Sequence, residues 1–589
     1  MKKISSYIWD YKWLYLLAVI CLTIGVSLDM LAPQLTKQII DDVIMGGDTA
    51  KLKYLIAGIV AIGVGRCIFM YIKEYTCDYL GSTIGSKMRK ALFNHVQQLS
   101  TDFFDRTNTG ELMARIKEDI DRIWDVLGFI GILIVEVVIH TGIILYCMYN
   151  LNLKLAILPT ISMIFCGFLA IYMEKKLGKV YEAISEENAA LNTVAEENLA
   201  GVRTVKAFAR EKFEITKFLS HNKRYYELNM QQSRLFVKYD PIFMFVSRLL
   251  PIVILLIGGR MVINSEITLG ELGAFVEYSN NIVWPMEMLG WLTNGFSSAV
   301  ASNKKIKKIY EETPSITEKE NPITLPSVTG KVCFDNVSFS KYDRITDEKG
   351  NVTLKPVEIL KNISFTVKPG QTVGIMGATG AGKSSLIYLL QRLYDCTDGL
   401  ILLDDIDIKE LSLKQLRGSI STVMQDVFLF SDTISENVKL GKRNQVKHQT
   451  ILKASADAHA SEFIEKMDKQ YETVIGERGV GLSGGQKQRI SIARALAKKN
   501  PILVMDDSTS ALDTETEHMI QQTLKNLQDT TKIIIAHRIS SVRNADEILV
   551  LDEGRIAERG THDTLLQQKG LYYETYMAQY GDFLNKKEV

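Results

Sequence analysis

The chain has 589 residues, 47% of them hydrophobic, and a net charge of +1. A soluble chain of this length would form three or four domains, and the balanced charge excludes the basic footprint of a nucleic-acid binder. None of the seven cysteines forms a C-x-x-C pair, which excludes a zinc or redox motif.

The composition splits into two halves. Residues 1–310 carry long apolar runs, and residues 320–589 read as an α/β domain. Lys2 and Lys3 ahead of an apolar run resemble a signal peptide, but no A-x-A-like site follows Leu14–Leu28 and the apolar pattern continues for hundreds of residues. Residues 4–12 mix aromatics with charge and suit either a short interfacial helix or an unordered terminus. Six membrane helices are expected near 13–44, 52–98, 112–149, 153–205, 220–263 and 271–308. About 20 residues cross a bilayer, so the longest of these should continue past the membrane as a stalk. Lys and Arg gather on one side of the spans, at Lys12, Lys87, Arg89, Lys175, Lys176, Arg203 and Lys206 among others. That bias puts the N-terminus and the second half in the cytoplasm of a multi-pass cell-membrane protein. Glu136, Arg66, Arg248 and Glu287 intrude into apolar runs, with His140 one turn after Glu136. Such residues line a transport cavity or pair between helices; the cavity is the expectation for Glu136 and Glu287.

Residues 311–329, with Pro314, Pro322 and Pro326, read as a linker between a membrane domain (1–310) and a nucleotide-binding domain (330–580), with 581–589 as a tail. Val332–Phe339 alternates like a strand. After the buried strand Val373–Met376 come Gly377, Ala378, Thr379, Gly380, Ala381, Gly382, Lys383, Ser384 and Ser385, which fit G-x-x-x-x-G-K-[ST]. Glycines let backbone N–H groups wrap phosphates, and the following helix presents its positive end. Lys383 is expected on the β- and γ-phosphates of ATP and Ser384 on Mg²⁺. Leu482, Ser483, Gly484, Gly485 and Gln486 form LSGGQ, opening a helix, and Ile502–Asp506 is a second buried strand ending in an acid.

A phosphate loop followed about a hundred residues later by LSGGQ resembles the ATP-binding cassette (ABC) family, and the resemblance extends over nearly the whole chain. It implies an α-helical exporter-type membrane domain followed by an α/β P-loop cassette, with ATP sandwiched between two cassettes. Ser483, Gly484, Gly485 and Gln486 would face the γ-phosphate held by the partner. Asp506 and Gln425 would join Ser384 around Mg²⁺, and Gln425 and His537 would approach the attacking water and the γ-phosphate. An aromatic after the first strand would stack on adenine; here Lys341 takes its spacing and Tyr342 comes one place late. Ser510–Asp513 matches the loop between the two ATP sites, and Glu477 matches a sensing loop. Phe103–Leu112 and Glu196–Phe208 resemble cytoplasmic turns that dock on the cassettes, with Phe104 and Phe208 as apolar anchors.

One residue departs from the pattern. After the Asp506 position the family usually has Glu, which orients the attacking water; this chain has Asp507. A reacting group misplaced by about 1 Å costs on the order of 100-fold in rate. Asp507 thus resembles the degenerate-site half of heterodimeric bacterial exporters, paired with a half-transporter that carries Glu. The alternatives are a homodimer in which Asp507 works, and a regulatory subunit that binds ATP with little chemistry. Amphipathic drugs or lipids are the expected cargo, and membrane lipid the surroundings.

Overall fold

The computed structural model describes residues 4–346, 352–442 and 445–585. Residues 347–351, the end of the expected tail and the Glu287 side chain lie outside the described residues. The chain divides into two compact units: Met1–Leu99 with Thr107–Thr313, and Ser100–Arg106 with Pro314–Val589.

The first unit is helical. Among the described residues five stretches are long and apolar enough to cross a membrane: Lys12–Met45, Leu52–Gln98, Thr109–Leu151, Leu153–Ala200 and Glu211–Ile263. The first begins with α1 (Lys12–Asp29) and restarts at Ala32, because Pro33 fits only the opening turn of a helix. The helices α2 (Leu52–Gln98), α3 (Gly131–Leu151), α4 (Leu153–Ala200) and α5 (Glu211–Ile263) follow. At about 1.5 Å per residue the 47 residues of α2 reach roughly 70 Å, over twice a hydrocarbon core of about 30 Å. The α2 backbone closes on the third stretch at Gly81, where a Cβ would sit 2.3 Å from Trp124 Nε1 and 3.1 Å from the Gly128 Cα. Small residues permit this approach where no hydrophobic effect drives helices together. The expected span 271–308 is two helices, α6 (Leu269–Asn281) and α7 (Val283–Glu311). Pro285 explains the interruption at Ile282: it lacks the N–H that would bond Asn281 and its ring crowds that carbonyl. Residues Ile4–Asp10 are helical, and Lys87 Nζ donates to Tyr11 Oη at 2.6 Å just beyond them.

The second unit holds two sheets. Strands β1 (Val332–Thr346), β2 (Val352–Val367), β4 (Asp398–Leu403) and β5 (Ile406–Asp407) pair antiparallel in the order β2-β1-β4-β5. The other sheet runs β10-β9-β3-β8-β7-β6, from β3 (Thr372–Gly377), β6 (Ile420–Val423), β7 (Ile502–Asp506), β8 (Thr531–Ile535), β9 (Glu547–Asp552) and β10 (Arg555–Gly560). All but β10 are parallel. Ile502 and Val504 enter one core with Val373 and Ile375, and Leu503 and Met505 enter the opposite core with Met376. A strand buried on both faces must be apolar at every position, which is why these strands read as unbroken hydrophobic runs.

Candidate functional site

Parallel pairing fixes where the chemistry gathers. Ile375, Ile535 and Asp506 stand level across β3, β8 and β7, and Val423 of β6 pairs with Met505. The residues just past these strand ends are therefore neighbours: the phosphate loop after β3, His537 after β8, Asp507 after β7 and Gln425 after β6. Crevices at the carboxyl ends of such strands are where open α/β sheets bind ligands.

The loop owes its path to glycine at two positions. Gly377 has φ +146°, and a Cβ there would lie 2.2 Å from the Leu551 carbonyl oxygen; Gly382 has φ +93°, and a Cβ would meet Leu360 at 2.6 Å. Gly382 then caps α8 (Lys383–Leu390). Lys383 is buried and its Nζ donates to the Gly377 and Ala378 carbonyls at 3.0 and 2.8 Å. Burial lowers its pKa, against the opposing pull of Asp506 and Asp507. The site is thus a backbone cradle with one ammonium folded into it.

Asp506 is 3% exposed, and burial raises its pKa; a hydrogen bond from Ser384 is the main opposing influence, and the Asp507 carboxylate adds to the rise. The Ser384 hydroxyl, the Asp506 carboxylate and the exposed Gln425 amide two places past β6 offer hard oxygen donors of the kind that would hold Mg²⁺. Asp507 is half-buried with φ +41°, a left-handed conformation that Asp tolerates better than most residues. Its N–H donates to Ile535 at 2.9 Å and its carbonyl accepts from Ser510 Oγ at 2.9 Å, so its backbone is tied on both sides. The His537 side chain is exposed. Tyr342 is 63% exposed and makes no ring contact among the described residues; Lys341, beside it, forms an ion pair with Asp105 at 2.8 Å.

LSGGQ opens α9 (Gly484–Ala497) through a reciprocal cap: Ser483 Oγ accepts from Gln486 N at 3.3 Å, and Gln486 Oε1 accepts from Ser483 N at 2.9 Å. Both polar side chains hold the helix start, leaving the Gly484 and Gly485 N–H groups at its positive end. A Cβ on Gly485 would press on the Ala511 carbonyl oxygen at 3.2 Å, a tight contact that a side chain could take only if its neighbour shifted.

Several residues that sequence reasoning passed over shape the site. Gln488 of α9 accepts from Ala511 N at 3.1 Å, tying LSGGQ to Ser510–Asp513, and Asp513 caps α10 (Thr514–Asn526). Gln579 of α11 (Leu571–Asn585) grips the segment around His537 twice: its Nε2 donates to the His537 carbonyl at 2.8 Å, and its Oε1 accepts from Ile539 N at 3.0 Å. No motif marks a glutamine in a C-terminal helix. Asp105 accepts from Tyr394 Oη as well as pairing with Lys341, and Asp102 accepts from Ser315 Oγ at 3.0 Å, so Ser100–Arg106 is held within the second unit. There Phe103 is the buried aromatic, whereas Phe104 is 41% exposed, the reverse of the expected anchor. Phe208 is exposed on the first unit. Glu477 is exposed in the turn Glu477–Gly479.

In the membrane helices the cavity expectation for Glu136 is corrected. Its carboxylate accepts from Lys73 Nζ at 3.1 Å, and both side chains are buried. Lys73, on another helix, had drawn no notice because its partner lies 63 residues away.

Comparison with known proteins agrees with this geometry. A family model for the ABC transporter transmembrane region matches residues 15–286, and one described as ABC transporter matches residues 360–510. The ABC transporter ATP-binding protein YknU of Bacillus subtilis (strain 168) is 34% identical, covering 99% of this chain and 97% of its own. An ATP-dependent lipid A-core flippase of Syntrophus aciditrophicus (strain SB) is 31% identical over 98% of this chain and 94% of its own. A solved structure of a bacterial Atm1-family ABC exporter with ATP bound superposes with a TM-score of 0.82 at 28% identity, covering 97% of this chain and 98% of that one.

Proposed function

The chain belongs to the ABC transporter family and has the exporter fold, and from that premise we propose that it is one half of a heterodimer that exports amphipathic small molecules, drugs or lipids, across the cytoplasmic membrane. Exporters of this family act as dimers. ATP binding would draw two cassettes together, with the phosphate loop of each facing the LSGGQ run of the other, and the inward-facing cavity would turn outward. Hydrolysis would release the clamp. Catalysis of this kind is positioning and charge stabilisation. Lys383 and the loop N–H groups would hold the β- and γ-phosphates of ATP, His537 the γ-phosphate, and Gln425 and Asp507 the attacking water. Ser384, Gln425 and Asp506 would hold Mg²⁺, which neutralises charge on the phosphate oxygens. Tyr342 is the candidate for stacking on adenine, its exposure leaving the ring free to do so.

The observation that carries the heterodimer is Asp507, one methylene short of the usual Glu, on a backbone hydrogen-bonded to Ile535 and Ser510. The second reading is a homodimer in which Asp507 itself serves. Purification from native membranes in mild detergent, with mass analysis of the intact complex, separates the two. A second half-transporter of different mass, with Glu after its own strand-end aspartate, supports the heterodimer; two identical chains would sink it. Asp507→Glu should raise turnover at this chain's site by about 100-fold. No gain means that Asp507 already serves.

A further inference from the structure

Two cations inside the apolar helices, Arg66 and Lys73, meet carboxylates. Arg66 Nη1 meets Asp29 at 2.7 Å, and Lys73 Nζ meets Glu74 and Glu136 at 2.9 and 3.1 Å. Arg248 is the one charged residue in the run 241–259 of α5, and among the described residues it has no ion-pair or hydrogen-bond partner. An ionised side chain within a membrane span is costly and faces a polar partner or a cavity.

Arg248 is exposed and borders a cavity. A space of about 390 Å³ is lined by Arg248, Pro251, Asn280, Val283 and Trp284. Two breaks in helical bonding border it. Pro251 has no N–H, so the Ser247 carbonyl one turn earlier lacks its usual helical partner. The interruption at Ile282 puts Asn280 at the end of α6 and Val283 and Trp284 at the start of α7. Broken helices in a membrane belong beside cavities that satisfy the freed groups. The Trp284 ring stands edge-on to His140 at 5.8 Å, and His140 Nδ1 is buried without a hydrogen-bond partner. The cavity therefore combines a guanidinium and an amide with an apolar wall of indole, proline ring and valine.

We infer that this cavity receives the anionic group of an amphipathic molecule, with Arg248 as its counter-charge, Asn280 as a hydrogen-bond partner and Trp284 flanking the first carbons of its chain. A guanidinium presents a planar fork that matches the oxygens of phosphate or carboxylate. The volume lies within the range of small-molecule sites and suits a headgroup whose chain extends into lipid. The inference rests on the exporter reading and narrows its cargo to anionic amphiphiles. The anionic group has two possible sources, the exported molecule and a resident anionic lipid.

The test uses the full transporter in nanodiscs of phosphatidylcholine, titrated with lysophosphatidic acid and lysophosphatidylcholine of equal chain length. Binding is read from tryptophan fluorescence, with Trp284→Phe to identify the responding ring, and ATPase activity is read in parallel. Lysophosphatidic acid should bind at least about tenfold more tightly, a ratio set by one charge-assisted contact. Arg248→Gln should erase the preference, and Arg248→Lys should retain most of it. Equal binding of the two lipids, or a preference that survives Arg248→Gln, overturns the inference. Stimulation of ATPase by lysophosphatidic acid identifies the exported molecule as the source. Binding without stimulation that phosphatidylglycerol discs abolish identifies a resident lipid; either result keeps the anionic site. Absence of basal ATPase in every variant, with the fluorescence preference intact, would count against the exporter reading and leave the site standing.

Discussion

Cations in the two units find different partners. In the membrane helices Lys73, Arg66 and Lys37 each meet a carboxylate. In the cassette Lys383, Arg494, Lys498 and Lys532 donate instead to main-chain carbonyls: Gly377 and Ala378, Asn437 and Phe428, Arg417 and Ile420, and Leu527. Burial pushes the Arg494 pKa down to about 10. Exceptions exist, such as Arg538 with Glu517. The contrast follows from backbone accounting. A long helix spends nearly all its carbonyls on itself, so only a side chain can answer a charge beside it. Strand ends and loops keep carbonyls to spare. The Gly377 and Ala378 carbonyls accept the Lys383 hydrogen bonds, and among the described residues Asp506 forms no direct ion pair.

The largest expected effect is at Asp506. Asp506→Asn should lower ATP turnover about 100- to 1,000-fold by removing a preorganised charge. It should also raise the melting temperature of the nucleotide-free protein at neutral pH. The sign follows from linkage: a carboxyl whose folded pKa is raised binds its proton more tightly in the native state, so its ionisation costs stability as pH rises through that value. The gain from Asn should be fully present at pH 8 and absent below about pH 3.9, the ordinary Asp value. A variant less stable than the parent at pH 8 contradicts the idea that this carboxylate is held against its burial.

Next is the membrane pair. Glu136→Met leaves Lys73 buried with only the half-exposed Glu74, and should cost about 3 kcal/mol in detergent unfolding. Changing Lys73→Met as well should recover most of the loss, because an apolar pair needs no neutralisation. Equal instability of single and double variants would break the proposed division between the units.

The smallest effect is expected at Gln579. Gln579→Ala removes both bonds to the backbone around His537 and should lower kcat about fivefold to tenfold, near 1 kcal/mol, with KM for ATP unchanged. Gln579→Glu, which keeps an acceptor for Ile539 N–H, should fall between. A raised KM with constant kcat would assign Gln579 to nucleotide binding.

What the sequence discloses depends on contiguity. The phosphate loop, LSGGQ and the strand-end acids are legible because each works through a few consecutive residues whose backbone makes the site. The apolar runs of β3 and β7 disclose their double burial for the same reason. Lys73–Glu136 and Gln579–His537 are hidden because each joins elements that only packing brings together, 63 and 42 residues apart. Phe103 and Phe104 could not be told apart, since burial in a six-residue helix depends on what it meets. The interruption at Ile282 was within reach: Pro285 marks it, but the surrounding apolar pattern invites one continuous helix.

The seven residues Ser100–Arg106 lie between membrane helices in the chain, yet they complete the cassette. Asp105 and Tyr394 are 289 residues apart. At synthesis rates of about 5–20 residues per second, Asp105 leaves the ribosome roughly 15–60 s before the tyrosine that receives it. The motor cannot make this contact until Tyr394 has been synthesised. A cassette expressed alone would leave Lys341, Tyr394 and Ser315 without these partners, and its stability would understate that of the motor in the whole protein.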